Sequence, residues 1–216
     1  KNWLLDFSGC DGGTIGSPEK QSIWVCGIEW GGGTDTEGLK NYINQQWNGS
    51  PDFGYEKIED LDFYPYNRIV YKLLGVMQGY PIDSYREFAQ KEQPFVENSH
   101  SSYFKMNLYP IAFIDTDHAH WEKDFSEITE FEDKQQYIEW CHENRFPVMK
   151  QWVQKYGPKL IICFGKTYKY EFDLAFSDNY QEFTNEAIGD LVLQWKKMIT
   201  VQSLQFYLFQ TQLIKD

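Results

Sequence analysis

The sequence predicts a three-layer α/β domain, a largely parallel sheet held between helices. Two short apolar runs, Ser22-Ile-Trp-Val-Cys-Gly27 and Lys159-Leu-Ile-Ile-Cys-Phe-Gly165, have the continuous hydrophobicity of strands buried on both faces. A third run, Tyr103-Phe-Lys-Met-Asn-Leu-Tyr-Pro110, reads as a strand closed by its proline. Between these runs lie segments with apolar residues at helical spacing, so successive strands are expected to run parallel, with helices as crossovers. A chain of 216 residues fits one such domain with a sizeable core, and residues 1–216 are read as a single unit.

Residues 1–21 begin with the apolar Trp3-Leu-Leu5 and continue into Cys10-Asp-Gly-Gly13 and Gly16-Ser-Pro18, which are turn signals. A short helix or arm followed by a loop is expected there. The first buried strand then breaks into Gly27-Ile-Glu-Trp-Gly-Gly-Gly33. In open α/β sheets ligands bind beyond the carboxyl ends of the strands, and glycines there allow close approach of the backbone. The loop also carries an acid, Glu29, and an aromatic, Trp30. It is neither a dinucleotide fingerprint nor a P-loop, because no Gly-Lys-Ser/Thr follows.

Thr34-Asp-Thr-Glu37 supplies a cap and acids for a helix over 39–47, which Asn48-Gly-Ser-Pro51 should end. Ile69, Val70, Leu73, Leu74 and Met77 mark the apolar face of a helix over 67–77. Residues 81–99 are polar and read as peripheral. Helices are expected over 131–142 and again from Phe146-Pro147 to the stop at Gly157-Pro158. Gly165-Lys-Thr167 turns into a helix over 168–176, and 191–195 with 198–209 read as strands or a hairpin.

Aromatic residues make up 18% of the chain, including 8 Trp and 15 Tyr, so flat side chains are available for packing and stacking. The net charge of −12 opposes tight non-specific binding to nucleic acid, which depends on Lys and Arg neutralising phosphates. No apolar run is long enough to span a bilayer, and no signal-peptide pattern opens the sequence, so no membrane partner and a cytoplasmic location are expected. Cys10, Cys26, Cys141 and Cys163 form no Cys-x-x-Cys, so reduced thiols are expected rather than a metal or cluster site. No motif requires a cofactor. His118 and His120, flanked by Asp115 and Asp117, would share one side of an extended segment, which makes them weak metal candidates against the plainer reading of an exposed polar loop.

The order of pieces resembles the uracil-DNA glycosylase superfamily. The matching stretches are Gly27-Ile-Glu-Trp-Gly31, Lys105-Met-Asn-Leu-Tyr-Pro110, and Phe146-Pro-Val-Met-Lys150 with Pro158-Lys-Leu-Ile-Ile-Cys-Phe-Gly-Lys166. The resemblance implies a four-stranded, largely parallel sheet in an α/β/α arrangement, with a base-binding pocket at the strand ends. It implies N-glycosidic hydrolysis of uracil or a damaged base, the chemistry of a hydrolase in DNA repair. Glu29 stands where the family places the residue that holds the attacking water, and a carboxylate suits that task. Asn107 stands where the family reads the uracil edge, and its amide can donate to a carbonyl and accept from a ring N–H. Gly27, Ile28 and Gly31 would form the backbone of that pocket, and Trp30 or Tyr109 would stack on the base. The partner implied is single-stranded DNA, a nucleobase or a nucleotide.

The family's last motif, a His-Pro-Ser or near relative, is absent: all four histidines, His100, His118, His120 and His142, precede the strand at Lys159-Leu-Ile-Ile-Cys-Phe-Gly165. Its loss removes the group that stabilises charge on the departing base and the loop that enters DNA. The alternative is therefore a catalytically inactive module on the same scaffold, binding a nucleobase, a nucleotide or a protein partner.

Overall fold

The computed structural model describes residues 1–45, 64–96, 100–117, 121–177, 182–188, 191–199 and 204–210. The strands are β1 (Cys10–Gly13), β2 (Ile23–Gly27), β3 (Tyr103–Asn107), β4 (Leu160–Phe164), β5 (Thr184–Ile188), β6 (Leu191–Ile199) and β7 (Leu204–Gln210). They form one sheet in the order β1-β3-β2-β4-β7-β6-β5. The expected four-stranded parallel sheet is its centre, because β3, β2, β4 and β7 pair parallel. Antiparallel strands extend it on both sides: β1 beside β3, and the β5–β6 hairpin beside β7.

The helices are α1 (Thr36–Asn44), α2 (Pro65–Met77), α3 (Tyr85–Glu92), α4 (Lys123–Thr129), α5 (Lys134–Trp140), α6 (Phe146–Tyr156) and α7 (Lys169–Phe176). Alternation along the central strands splits the core in two. Trp24, Cys26, Phe104, Met106, Ile161 and Cys163 pack with residues of α5, α6 and α7, among them Tyr137, Met149 and Phe172. Ile23, Val25, Tyr103 and Ile162 pack on the other face with Val70, Leu74 and Phe88 of α2 and α3. Helices thus cover both faces, which is why these strands read as unbroken apolar runs.

Several expectations change. Residues 10–13 were expected in a loop and instead form β1. Their composition carries no strand signal; the pairing comes from the edge of β3, with Asn107 N–H donating to Gly9 O and Thr14 N–H to Tyr103 O, both at 2.8 Å. The segment 81–99, expected to be peripheral, contains α3, whose Phe88 is fully buried against α2. Tyr85, Phe88 and Ala89, spaced at i, i+3 and i+4 among polar residues, suffice to seat this short helix. Helix α4 and strand β5 were likewise not expected from their polar sequences.

The break expected between 142 and 146 does not occur. A π turn, Cys141–Arg145, joins α5 to α6 without interruption. Pro147 has no N–H to donate and crowds the preceding turn, and the wider π turn accommodates it. Gly157, with φ 56°, then ends α6 as expected. The first helix, expected over 39–47, spans Thr36–Asn44 and ends earlier, with Gln45 extended as its C-cap, while residues 48–51 lie outside the described residues. All four cysteines are buried and free.

The π turn also delivers Arg145, fully buried, to the N-terminal arm. Its guanidinium donates to Leu4 O at 2.6 Å, Ser8 O at 2.5 Å and Leu108 O at 2.9 Å. Carbonyls rather than a carboxylate take up its fixed fork of donors, and they tie the arm to the end of β3.

Candidate functional site

The ladder between β2 and β3 continues past the strand ends and sets the geometry of the site. Gly27 and Asn107 are opposite in register. Beyond them, Leu108 N–H donates to Gly27 O at 3.0 Å, Tyr109 N–H to Ile28 O at 2.9 Å, and Phe113 N–H to Trp30 O at 3.2 Å. The two loops therefore leave the sheet side by side. A cavity of about 950 Å³ opens there, walled by these loops, by the start of α2 and by the end of β4.

Of the residues singled out from sequence, Gly27, Ile28, Glu29, Trp30, Gly31 and Asn107 all line this cavity. Tyr109 does not. Its ring is buried behind the loop among Tyr137, Phe146 and Tyr168, and its hydroxyl is 2.8 Å from Nε2 of His142. Tyr109 precedes Pro110 where the chain turns back into the core, so it packs there instead of stacking in the cavity. Burial pushes its phenol well above the ordinary value.

His118 and His120 lie outside the described residues. Among the described residues, no three His, Cys, Asp or Glu side chains come together to hold a metal. Asp115 lines the cavity and closes a local turn, with Oδ1 accepting from Asp117 N–H at 2.8 Å.

The walls are aromatic: Trp30, Tyr42, Tyr64, Tyr66, Phe113 and Phe164. Trp30 meets Tyr42 edge to face at 5.2 Å, and Tyr66 meets Phe164 in the same way at 5.4 Å. Set among these rings is Asn107, only 4% exposed, whose Nδ2 has no hydrogen-bond partner among the described residues. A buried donor left unpaired costs about 1–3 kcal/mol.

Two ion pairs flank it. Lys105, two residues before Asn107 and on the same face of β3, pairs with Asp11 of β1, and its ammonium lies 5.6 Å from the centre of the Tyr66 ring. Glu29 pairs with Lys134 of α5 at 3.3 Å. Burial lowers the Lys134 pKa, and the Glu29 carboxylate opposes that shift. Glu29 is thus no solitary acid on a loop; it is a carboxylate with its own internal counter-ion.

Sequence reasoning missed Asp11, Lys105, Lys134 and Tyr66. Lys105 did carry a signal, since a charge inside a strand buried on both faces needs a partner. Lys134 carried none, because it meets Glu29 across 105 positions of chain. Comparison of the chain with protein-family models, with curated proteins and with solved structures gives no match.

Proposed function

We propose that this cavity binds a nucleobase, free or within a nucleotide, and that the chain is a divergent member of the uracil-DNA glycosylase-like superfamily acting as a base-binding module. The observation that carries the reading is Asn107: a buried amide with an unpaired donor, on the wall of an aromatic cavity, suits the carbonyl of a planar heterocycle. The rings around it suit stacking on such a ligand. The net charge of −12 favours a small ligand over a long polyphosphate strand.

A second reading, N-glycosidic hydrolysis, is favoured by Glu29, a carboxylate on the same cavity wall with Lys134 as counter-ion. In that reaction the water oxygen bonds to the anomeric carbon as the C–N bond breaks. The bonding pair leaves with the base nitrogen, and the water proton passes by way of the carboxylate to the base. Glu29 would orient the water and accept that proton.

Titration calorimetry with uracil and with dUMP tests the first reading. Saturable binding that Asn107→Ala weakens supports it, and the absence of binding by folded protein refutes it. Abasic-site formation on a uracil-containing single-stranded oligonucleotide tests the second, which requires cleavage that is lost in Glu29→Gln.

A further inference from the structure

The counter-ion of Glu29 stands outside the cavity and touches both of the loops that form it. Lys134 opens α5, where Asp133 caps the helix by accepting from Gln136 N–H at 2.7 Å. Its side chain is 1% exposed. The ammonium lies 3.3 Å from Glu29 Oε1, on the loop after β2. It also donates to Asp115 O at 3.2 Å and sits 3.7 Å from the centre of the Phe113 ring, both on the loop after β3. Glu29, Phe113 and Asp115 line the cavity, whereas Lys134 does not.

We propose that Lys134 is the positioning residue of this cavity: an internal cation that orients the Glu29 carboxylate and clamps the loop after β2 to the loop after β3. For its effect on ligand affinity the proposal rests on the base-binding reading; the clamp itself does not. Three kinds of contact converge on one charge: an ion pair, a hydrogen bond to a carbonyl, and a cation over an aromatic face. An apolar side chain of similar length reproduces none of them. Arginine, with its charge and several donors, reproduces most. A pair retained only for stability would be replaceable by uncharged groups without loss of loop geometry.

The clamp has a built-in reporter in the Phe113 amide, which donates to Trp30 O across the two loops. Amide hydrogen exchange and uracil titration are measured on wild type, Lys134→Met, Lys134→Arg and the charge-free double variant Glu29→Gln/Lys134→Met. The expected result is exchange at Phe113 faster by ~10-fold or more in Lys134→Met and in the double variant, with the β2–β3 ladder unchanged and near wild-type protection in Lys134→Arg. Uracil affinity should fall in parallel. Should Lys134→Met fail to fold, the double variant, which leaves no unpaired charge, carries the exchange measurement alone. Unchanged protection at Phe113 in the charge-free variant overturns the clamp, whether or not uracil binds. Loosened loops in a protein whose wild type binds neither uracil nor dUMP would uphold the clamp and refute the base-binding reading instead.

Discussion

A Cβ on Gly27 would stand 2.5 Å from the Oδ1 of Asn107 and 3.4 Å from the Tyr66 hydroxyl oxygen. The bare backbone at the end of β2 is what leaves room for the Asn107 amide beside the strand. Gly27→Ala should therefore push the amide aside. The expected outcome is a stability loss of roughly 1–3 kcal/mol from overpacking and uracil binding weakened ~10-fold or more. Calorimetry and thermal melting read the two effects separately. Unaltered affinity in a folded Gly27→Ala variant would remove Asn107 from the recognition argument.

Glu29→Gln, the obvious test of the carboxylate, also strands a buried ammonium. Breaking a buried pair by removing one partner costs about 3–5 kcal/mol, whereas replacing both partners costs much less. Urea denaturation should place Glu29→Gln and Lys134→Met well below wild type, with Glu29→Gln/Lys134→Met above either single variant. If the single losses simply add in the double variant, the two side chains are not coupled.

Arg145→Lys should destabilise the protein despite keeping the charge. One ammonium cannot reach Leu4 O, Ser8 O and Leu108 O, which the guanidinium serves from three nitrogens. The carbonyls left unpaired make a loss of about 3 kcal/mol or more the expectation, read from the denaturation midpoint. A loss near zero would mean that the N-terminal arm is held by its apolar contacts.

His142 gives the fold a predicted acid sensitivity. Burial, outweighing nearby Glu171 and Glu139, lowers its pKa from the ordinary 6.5. The unfolded chain therefore takes up this proton at a higher pH than the folded one. Stability should be undiminished by this group above about 6.5 and fall as pH drops from there through the folded value. His142→Gln should flatten that part of a melting-temperature profile, and an unchanged slope would assign the sensitivity elsewhere.

The thiols should be inert in the native protein. All four are buried, and burial pushes Cys10 and Cys141 up to about 12. Because the thiolate is the reactive form, a thiol reagent at mildly alkaline pH should label none until denaturant is added, and then all four. Rapid labelling of folded protein would contradict the burial of these strands and helices.

Much of this architecture is legible in the residues. The runs at Ile23, Tyr103 and Leu160 announce strands because a strand covered on both faces must be apolar on both. The helices at α2, α6 and α7 announce themselves by spacing and by their stops. Strands β1 and β5 do not, since an edge strand needs backbone pairing more than any side-chain pattern. The π turn before Pro147 is equally silent, as its signal is the same proline that marks a helix start.

The sequence by itself determined the parallel centre of the sheet and the placing of Gly27, Glu29 and Asn107 at neighbouring strand ends. Period and composition act locally and mark where each strand ends, whereas the β2–β3 register, Gly27 opposite Asn107, is set by backbone pairing between two strands that are buried on both faces. Only the tertiary structure decided what those residues face. It put Tyr109 in the core beside His142, left the Asn107 nitrogen unpaired on an aromatic wall, and brought Lys134 to Glu29. Those relationships depend on the packing of helices against the sheet, and no local pattern encodes a contact made across the fold.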